Sequence, residues 1–280
     1  MFMDNLKISV VISTYNSEDW LEKVLLGYKQ QTYKDFEVII ADDGSRASTK
    51  ELIDAYREDY PVELMHLWHE DDGYRRQEIL NVAITKANYE YILMTDGDCI
   101  PRPDFVEVHA KNARKGTFLS GGYCKLSMKL SERIDQSDIE SSRCFKVDWL
   151  KSIDKLGFSQ TLKLSTGPFL SSLLDNVTPT NASFNNCNSS GWKADMIAIN
   201  GYDERMKYGG PDRELGERLE NYGVKGVQIR HQAICLHLDH PRGYKTPESL
   251  KRNLEIREQV RKQKITWTLF GIKKEEKVNA

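Results

Sequence analysis

Four times in the first hundred residues, a run rich in β-branched side chains opens a unit, and helical spacing of apolar residues follows the first three runs. That alternation restricts the chain to an α/β architecture built on a mainly parallel central sheet flanked by helices. The first run covers 7–16. Behind it Trp20, Leu21, Val24, Leu25 and Tyr28 recur at helical spacing, with Asn16 or Ser17 placed to cap the helix and Glu18 and Asp19 in its first turn. A second run at 36–41 precedes a helix expected over 49–60, and a short strand near 62–67 precedes one over 75–87. The fourth run is 91–96. Beyond it the pattern predicts a helix from 103 to about 118 and a strand at 119–123. The stretch from 127 to 180 is irregular, with helices expected only around 137–153. An irregular stretch of that length serves either a substrate pocket or nothing in particular.

The fourth run breaks off abruptly at Asp96-Gly97-Asp98-Cys99-Ile100-Pro101. Its unbroken apolar character suits a strand covered on both faces, and Gly97 lets the chain turn sharply where burial stops. Two carboxylates one residue apart repel each other, so keeping both ionised calls for a cation between them. Oxygen ligands of this kind suit Mn²⁺ or Mg²⁺. Asp-Gly-Asp is also ordinary turn chemistry, so the motif depends on its company. That company is Thr14-Tyr15-Asn16 and Asp42-Asp43, which also close predicted strands. Right-handed crossovers bring such ends to one rim of the sheet, where open α/β sheets take their ligands. No glycine-rich phosphate loop is present, so a diphosphate would be neutralised by metal and basic side chains.

A net charge of −2 over 280 residues removes any general reason to expect nucleic acid as a partner. Five cysteines without a CxxC pair fit reduced thiols, neither a disulfide framework nor a zinc site. Residues 1–7 lack a signal-peptide pattern and no stretch approaches the roughly 20 apolar residues of a membrane span, which gives a cytoplasmic expectation. From 249 to 278 basic residues alternate with sparse apolar ones, ending in Trp267-Thr268-Leu269-Phe270-Gly271-Ile272-Lys273-Lys274. This tail reads as an interfacial anchor for peripheral contact with the inner face of the membrane, or as a solvated helix. A nucleotidyltransferase would also use a nucleotide, a metal and paired carboxylates, but wants a basic, glycine-rich loop that Ser13-Thr14-Tyr15-Asn16 does not supply. A non-catalytic nucleotide-sugar-binding module is the third reading.

Val10 to Asn16, Ala41-Asp42-Asp43-Gly44-Ser45 and Asp96 to Pro101, in this order and spacing, resemble the family 2 nucleotide-sugar glycosyltransferases of the GT-A fold. Cys187-Asn188-Ser189-Ser190-Gly191-Trp192-Lys193-Ala194-Asp195 and Ile199-Asn200-Gly201-Tyr202-Asp203-Glu204 are similar to the galactosyltransferase-type C-terminal module of chondroitin-polymerase-like bacterial enzymes and animal β-1,4-galactosyltransferases. The resemblance spans about 7–245. It implies a nucleotide-sugar-binding half at 1–122, an acceptor-binding and catalytic half at 123–245, and a basic helical tail at 246–280. It also implies an inverting, metal-dependent enzyme moving a hexose or N-acetylhexosamine from a UDP-sugar to a saccharide or lipid-linked acceptor, in bacterial surface polysaccharide synthesis.

Residue by residue, the resemblance gives Asp42 or Asp43 to the uracil and ribose, beside Thr14, Tyr15 and Asn16. Asp96 and Asp98 would hold Mn²⁺, or Mg²⁺, against the donor diphosphate, with His237 as third ligand and His240 as a second candidate. Arg75 and Arg76 would contact the diphosphate or its loop, although Leu80 stands where related chains often carry a further arginine. Asp212 matches the catalytic base. Pro211 replaces the Glu that usually precedes it, and Glu214 is the candidate to stand in for that Glu. Asn188, Trp192, Tyr208 and Gly210 complete the expected sugar contacts.

Overall fold

The computed structural model describes residues 5–241 and 245–274. The signal-peptide reading thus falls partly, at 1–4, and the tail reading partly, at 275–280, outside the described residues. In chain order the elements are β1 (Ile8–Thr14), α1 (Glu18–Lys29), β2 (Phe36–Asp42), α2 (Ala47–Arg57), β3 (Leu64–Trp68), α3 (Arg76–Lys86), β4 (Tyr91–Asp96) and β5 (Cys99–Pro101). There follow α4 (Phe105–Asn112), β6 (Thr117–Lys125), α5 (Met128–Arg133), α6 (Gln136–Glu140), a 3₁₀ turn at Arg143–Phe145, α7 (Val147–Ile153), α8 (Phe158–Ser165) and α9 (Pro168–Val177). The chain closes with β7 (Ser189–Trp192), α10 (Lys193–Ala198), α11 (Pro211–Asn221), β8 (Lys225–His237) and α12 (Pro247–Gln263).

The strands form one sheet in the order β3-β2-β1-β4-β7-β6-β8-β5. Its first half is parallel, as the alternation predicts: β3, β2, β1 and β4 all run together. The other half is mixed. β7 runs against both β4 and β6, and β5 against β8, while β6 and β8 are parallel. The reversal follows from the insertion α5–α9, after which the chain re-enters the sheet from the opposite end.

Burial on both faces explains the unbroken apolar runs. In β1, Ile8, Val10 and Ile12 pack against Leu21, Val24, Leu25 and Tyr28 of α1 on one side. Val11 faces Ile79, Leu80, Ala83 and Ile84 of α3 on the other. With every β1 residue buried, the strand can emerge into solvent only at its C-terminal end, and there Tyr15 is half exposed.

The insertion contains an inverted helix. α9 buries Ser171 and Asp175 while Phe169, 87% exposed, Leu170, Leu173 and Val177 point outward. Asp175 explains the orientation, since its carboxylate accepts from the backbone N–H of His231 at 2.9 Å and from Gln232 Nε2 at 2.9 Å.

The tail folds back onto the domain. Ile256 and Val260 of α12 are buried and Asn253 is fully enclosed, while the Arg205 guanidinium lies 3.8 Å from the Phe270 ring centre. Among the described residues no helix is long and apolar enough to cross a membrane.

Candidate active site

The C-terminal ends of β1 and β4 open into a cleft of about 1230 Å³. Its first wall comes from the loops after β1 and β2 and from the start of α3, and includes Thr14, Tyr15, Asn16, Asp43 and Arg76. Asn16 is held in the left-handed region at φ 45°, where asparagine is among the residues tolerated. Its Oδ1 accepts from the backbone N–H of Arg46 at 3.0 Å. The Tyr15 hydroxyl donates to Asp71 Oδ2 at 2.9 Å, a bond that raises the phenol's pKa. Thr14 Oγ1 is buried without a partner.

The paired aspartates divide. Asp42, the last residue of β2, is fully buried, accepts from the Ser45 N–H at 2.8 Å and faces His66 Nε2 at 2.9 Å. Asp43 is the one on the cleft wall. It lies 2.9 Å from His69 Nε2 and accepts from the Arg75 N–H at 3.2 Å. Burial pushes its pKa up against the pull of His69. Of the sequence's two candidates, Asp42 is therefore structural.

The arginines divide in the same way. Arg76 donates to Ser13 Oγ at 2.7 Å and to Asp96, on the cleft floor. Arg75 turns away, donating to the Glu70 carbonyl at 2.5 Å and pairing with Glu78 at 3.5 Å. Of the two contacts expected for Arg75, the diphosphate or its loop, the structure shows a loop contact, because the helix start sends successive side chains to different faces.

At the centre, Asp96 and Asp98 do not share one set of neighbours. Asp96 is held by Arg76 and by Ser13 Oγ at 3.0 Å. Its pKa is raised, burial outweighing the arginine. Asp98 faces two imidazoles, His240 Nε2 at 3.0 Å and His237 Nε2 at 3.9 Å. Strand pairing explains the meeting, for Cys99 sits opposite His237 where β5 joins β8. Burial disfavours the Asp98 anion, but the bond to His240 and the charges of both histidines hold its pKa below the usual value.

The tautomers follow from the surroundings. His237 Nδ1 lies 2.8 Å from the Leu238 carbonyl and His240 Nδ1 2.9 Å from that of Pro241. A carbonyl only accepts, so each Nδ1 carries the proton. Each Nε2 is thereby turned towards Asp98, donating to the carboxylate when the ring is charged and offering a lone pair to a cation when it is neutral. A carboxylate oxygen beside imidazole nitrogen can hold a first-row divalent ion, the carboxylate being the ligand that suits Mn²⁺. Asp98, Cys99 and His237 offer donor atoms within 4.8 Å of one another. The Cys99 thiol is pushed well above its ordinary pKa by burial and donates to Asp98 Oδ1 at 3.3 Å, so it stays protonated and is no ligand.

The far wall belongs to the second half of the chain. Gly209 and Gly210 are both left-handed, at φ 111° and 96°, and Pro211 then opens α11. Proline at the first helical position loses no hydrogen bond. Asp212 follows on the cleft wall, its Oδ1 accepting from the Arg213 N–H at 2.9 Å and its Oδ2 from that of Asn186 at 3.4 Å. Tyr208 and Gly210 line the same wall.

Three expected sugar contacts lie elsewhere. Glu214 is fully buried and bound to Arg218 through contacts of 2.6 and 2.8 Å. One helical turn separates the two, so they face the interior together. Trp192 stacks edge-on against Tyr91 at 5.0 Å and donates to the Arg114 carbonyl at 2.8 Å. Asn188 donates to the carbonyls of Gly122 and Ala233, at 2.7 and 2.9 Å, tying three strands together. All three serve the core.

Two residues that the sequence reading missed matter here. Asn186 reaches the cleft, its Oδ1 accepting from the Tyr202 hydroxyl while its Nδ2 is buried without a partner. The asparagine-dense stretch 185–188 was the available signal. Asn253 of α12 donates through Nδ2 to the carbonyls of Lys207, Tyr208 and Gly209 at 2.9, 3.1 and 3.1 Å, clamping the loop that delivers Asp212. No local pattern announces a clamp 44 residues away from its loop.

Comparison with known proteins agrees with this geometry. The family model for glycosyl transferase family 2 matches residues 9–153, just over half of the chain. An uncharacterized glycosyltransferase, YfnE of Bacillus subtilis, is 26% identical over 277 residues, covering 89% of this chain and 69% of its own. The chondroitin synthase of Escherichia coli is 26% identical over 254 residues, covering 80% of this chain but 34% of the synthase, so the chain spans about a third of that relative. Among solved structures, Staphylococcus aureus TarS 1–349 in complex with UDP-GlcNAc superposes with a TM-score of 0.62 at 17% identity, over 92% of this chain and 69% of TarS. The mannosyltransferase PcManGT of Pyrobaculum calidifontis, in complex with GDP-Man and Mn²⁺, gives 0.56 at 16%, over 91% and 69%. These likenesses establish the GT-A fold.

Proposed function

The chain belongs to glycosyl transferase family 2, and from that premise we propose that it transfers a hexose or N-acetylhexosamine from a UDP-sugar to a saccharide or lipid-linked acceptor, with a divalent ion and with inversion, in bacterial surface polysaccharide synthesis. One observation carries the reading: a single cleft holds Asp43 on one wall, the Asp98, His237 and His240 donor set on its floor, and Asp212 on the other wall. A UDP-GlcNAc complex of TarS and the chondroitin synthase match support the donor and polymer class.

Asp43, with the backbone of the Thr14 to Asn16 loop, holds the uracil and ribose. Arg76 orients Asp96 beside the diphosphate. Asp98 and His237 would hold the ion, with His240 as the further candidate, and when bound it acts as a Lewis acid that neutralises charge on the leaving diphosphate. Asp212, at the positive end of α11, accepts the proton of the acceptor hydroxyl on a carboxylate oxygen as that hydroxyl attacks the anomeric carbon. The hydroxyl oxygen bonds to carbon on the face opposite the departing UDP, so configuration inverts. Tyr208 and Gly210 shape the acceptor's approach, and Asn186 offers it a donor.

A panel of UDP-, GDP- and dTDP-sugars, followed by nucleotide release with Mn²⁺ and with EDTA, tests this on the wild type and on Asp212→Asn. Metal-dependent release from one UDP-sugar, lost in the variant, is expected, with an inverted anomer in the product. A retained anomer, or release untouched by Asp212→Asn, would overturn the mechanism.

A further inference from the structure

β8 carries the least regular pairing in the sheet. Gly121 pairs with Ile229 but Gly122 with Ile234, so residues 230–233 bulge out of the ladder. Bulges re-aim side chains and gather near active sites. Glycine is needed opposite this one, since a Cβ on Gly122 would lie 2.1 Å from the Arg230 carbonyl oxygen. The buried Asp175 pins the bulge by accepting from the His231 N–H, from His231 Nδ1 at 2.8 Å and from Gln232. The inverted helix α9 thus fixes the place where Arg230 enters the cleft.

A second cation lines the cleft, and a third sits against one of its lining residues. Arg213 follows Asp212 on the cleft wall. Lys163, on α8, donates to the Tyr123 carbonyl at 3.0 Å and lies 5.8 Å from the centre of that ring. Tyr123 itself lines the cleft, its ring 5.5 Å from that of His237. Burial, and next the nearby Arg230 charge, lower the Lys163 pKa, and the Arg213 charge acts on the Tyr123 phenol. Among the described residues none of the three cations forms an ion pair with a carboxylate, although elsewhere Arg57, Arg102, Arg143, Arg205, Arg218 and Arg257 all do. Arg213 and Arg230 line the cleft and Lys163 sits against Tyr123 of its lining, none of them paired to a carboxylate among the described residues, so their positive charge is available to an anion.

We propose that Arg213, Arg230 and Lys163 form an anion subsite on the acceptor side of the cleft, so that the acceptor is an anionic saccharide bearing a carboxylate or a phosphate close to its attacking hydroxyl. The subsite rests on the transferase reading and deepens it. Arg213 of α11 and Arg230 of β8 line the cleft on elements other than the β1 and β2 loops and α3 that form the nucleotide wall, and Lys163 of α8 adjoins them through Tyr123. The subsite therefore adds a charge requirement that is separate from the donor's diphosphate.

The test is calorimetric titration of the full chain, with UDP and Mn²⁺ present, using three probes: a glucuronate-ended oligosaccharide, a glycerol-phosphate oligomer and a neutral oligosaccharide of matched length. At least one anionic probe is expected to bind about tenfold tighter than the neutral one, the scale of one charge-assisted contact. Which one does so separates carboxylate from phosphate. The Arg213→Gln/Arg230→Gln double variant should shrink that advantage to about threefold or less, and Lys163→Gln, on a different element, should reduce it as well. Equal binding of all three probes, no binding of any, or an advantage that survives the double variant would overturn the subsite. So would a loss of UDP affinity in the double variant as large as the loss for the anionic probe, which would give the cations to the donor. A chain that keeps the charge preference but turns over no nucleotide sugar would overturn the transferase reading alone.

Discussion

Glu214 is the residue on which sequence and structure part most sharply, and replacing it by alanine decides between them. In the structure its carboxylate meets the Arg218 guanidinium through two contacts, and Arg218 spends its other donors on the carbonyls of Ile199 and Gly201, each at 2.6 Å. Both side chains are shut off from solvent. Removing the carboxylate leaves a guanidinium buried without its counter-charge, a change that costs about 3–5 kcal/mol. At about 2–4 °C per kcal/mol for a large domain, the unfolding midpoint should fall by roughly 6–20 °C. The damage should spread, because the two carbonyls frame the left-handed Asn200-Gly201 turn before Tyr202, whose hydroxyl holds Asn186 beside Asp212. Thermal unfolding of Glu214→Ala, with Glu214→Gln as the conservative companion that keeps shape and hydrogen bonding, is the assay. If Glu214→Ala melts within about 2 °C of wild type and instead raises the acceptor KM, Glu214 points into the cleft as a sugar contact and the buried-pair argument is wrong.

Asp98→Asn and His237→Ala should each weaken Mn²⁺ binding at least about tenfold in titrations with UDP present; unchanged affinity would move the ion to Asp96. His109 gives a pH dependence. It is fully buried between Asn188 Oδ1 at 2.9 Å and Ser190 Oγ at 2.7 Å, and burial pushes its pKa down to about 4 from 6.5. The unfolded chain therefore takes up the proton first, so stability holds above about pH 6.5 and falls by about 3 kcal/mol on acidification towards pH 4. Denaturant titrations across that range should show the slope, and His109→Gln should flatten it; an unaltered slope in the variant would discard the assignment. Asn253→Ala strips a shared donor from three carbonyls of the 207–209 loop, a loss of about 1–3 kcal/mol. Since that loop delivers Asp212, kcat should drop while the donor KM changes little, and a variant with wild-type kcat would show that the clamp has no catalytic consequence.

The first half of the chain was legible because its signals are local. Strands buried on both faces show as unbroken apolar runs, and the turn after each shows as Asn, Asp or Gly. What periodicity cannot reveal is which member of a pair faces the ligand. Asp42 ends a strand and turns inward while Asp43, one residue on, reaches the cleft; Arg75 and Arg76 divide at a helix start. The second half was less legible because its structure depends on long-range partners. Trp192 resembles a sugar platform in sequence, yet a strand register that sets it opposite Tyr91 makes it core. The apolar pattern of the tail suits an interface, and in the structure Ile256 and Val260 are buried on the domain. In α9 the usual rule reverses, because one buried aspartate with three donors outweighs four outward apolar side chains.

That reversal points to how the two walls are held. The nucleotide wall stands on apolar packing on both sides of parallel strands, which tolerates loops of one conformation at the strand ends. The opposite wall has an apolar bed as well, Leu215 and Leu219 clustering with Phe118 and Phe184, but its loops are irregular. Its irregular backbone is fixed by buried polar groups, each reaching across the fold: Asn188 to Gly122 and Ala233, Asp175 to the β8 bulge, Arg218 to the Asn200-Gly201 turn, and Asn253 to the loop before Asp212. Leaving such groups half paired is costly, so each admits few alternatives and specifies one backbone. Pro211 fits the same logic. It follows two left-handed glycines and occupies a helix position with no hydrogen bond to lose, so it stiffens the approach to Asp212 without disturbing the start of α11. On the proposed reading, discrimination among acceptors falls to the side chains that this wall presents to the cleft, of which Arg213 and Arg230 carry charge of the sign opposite to Asp212.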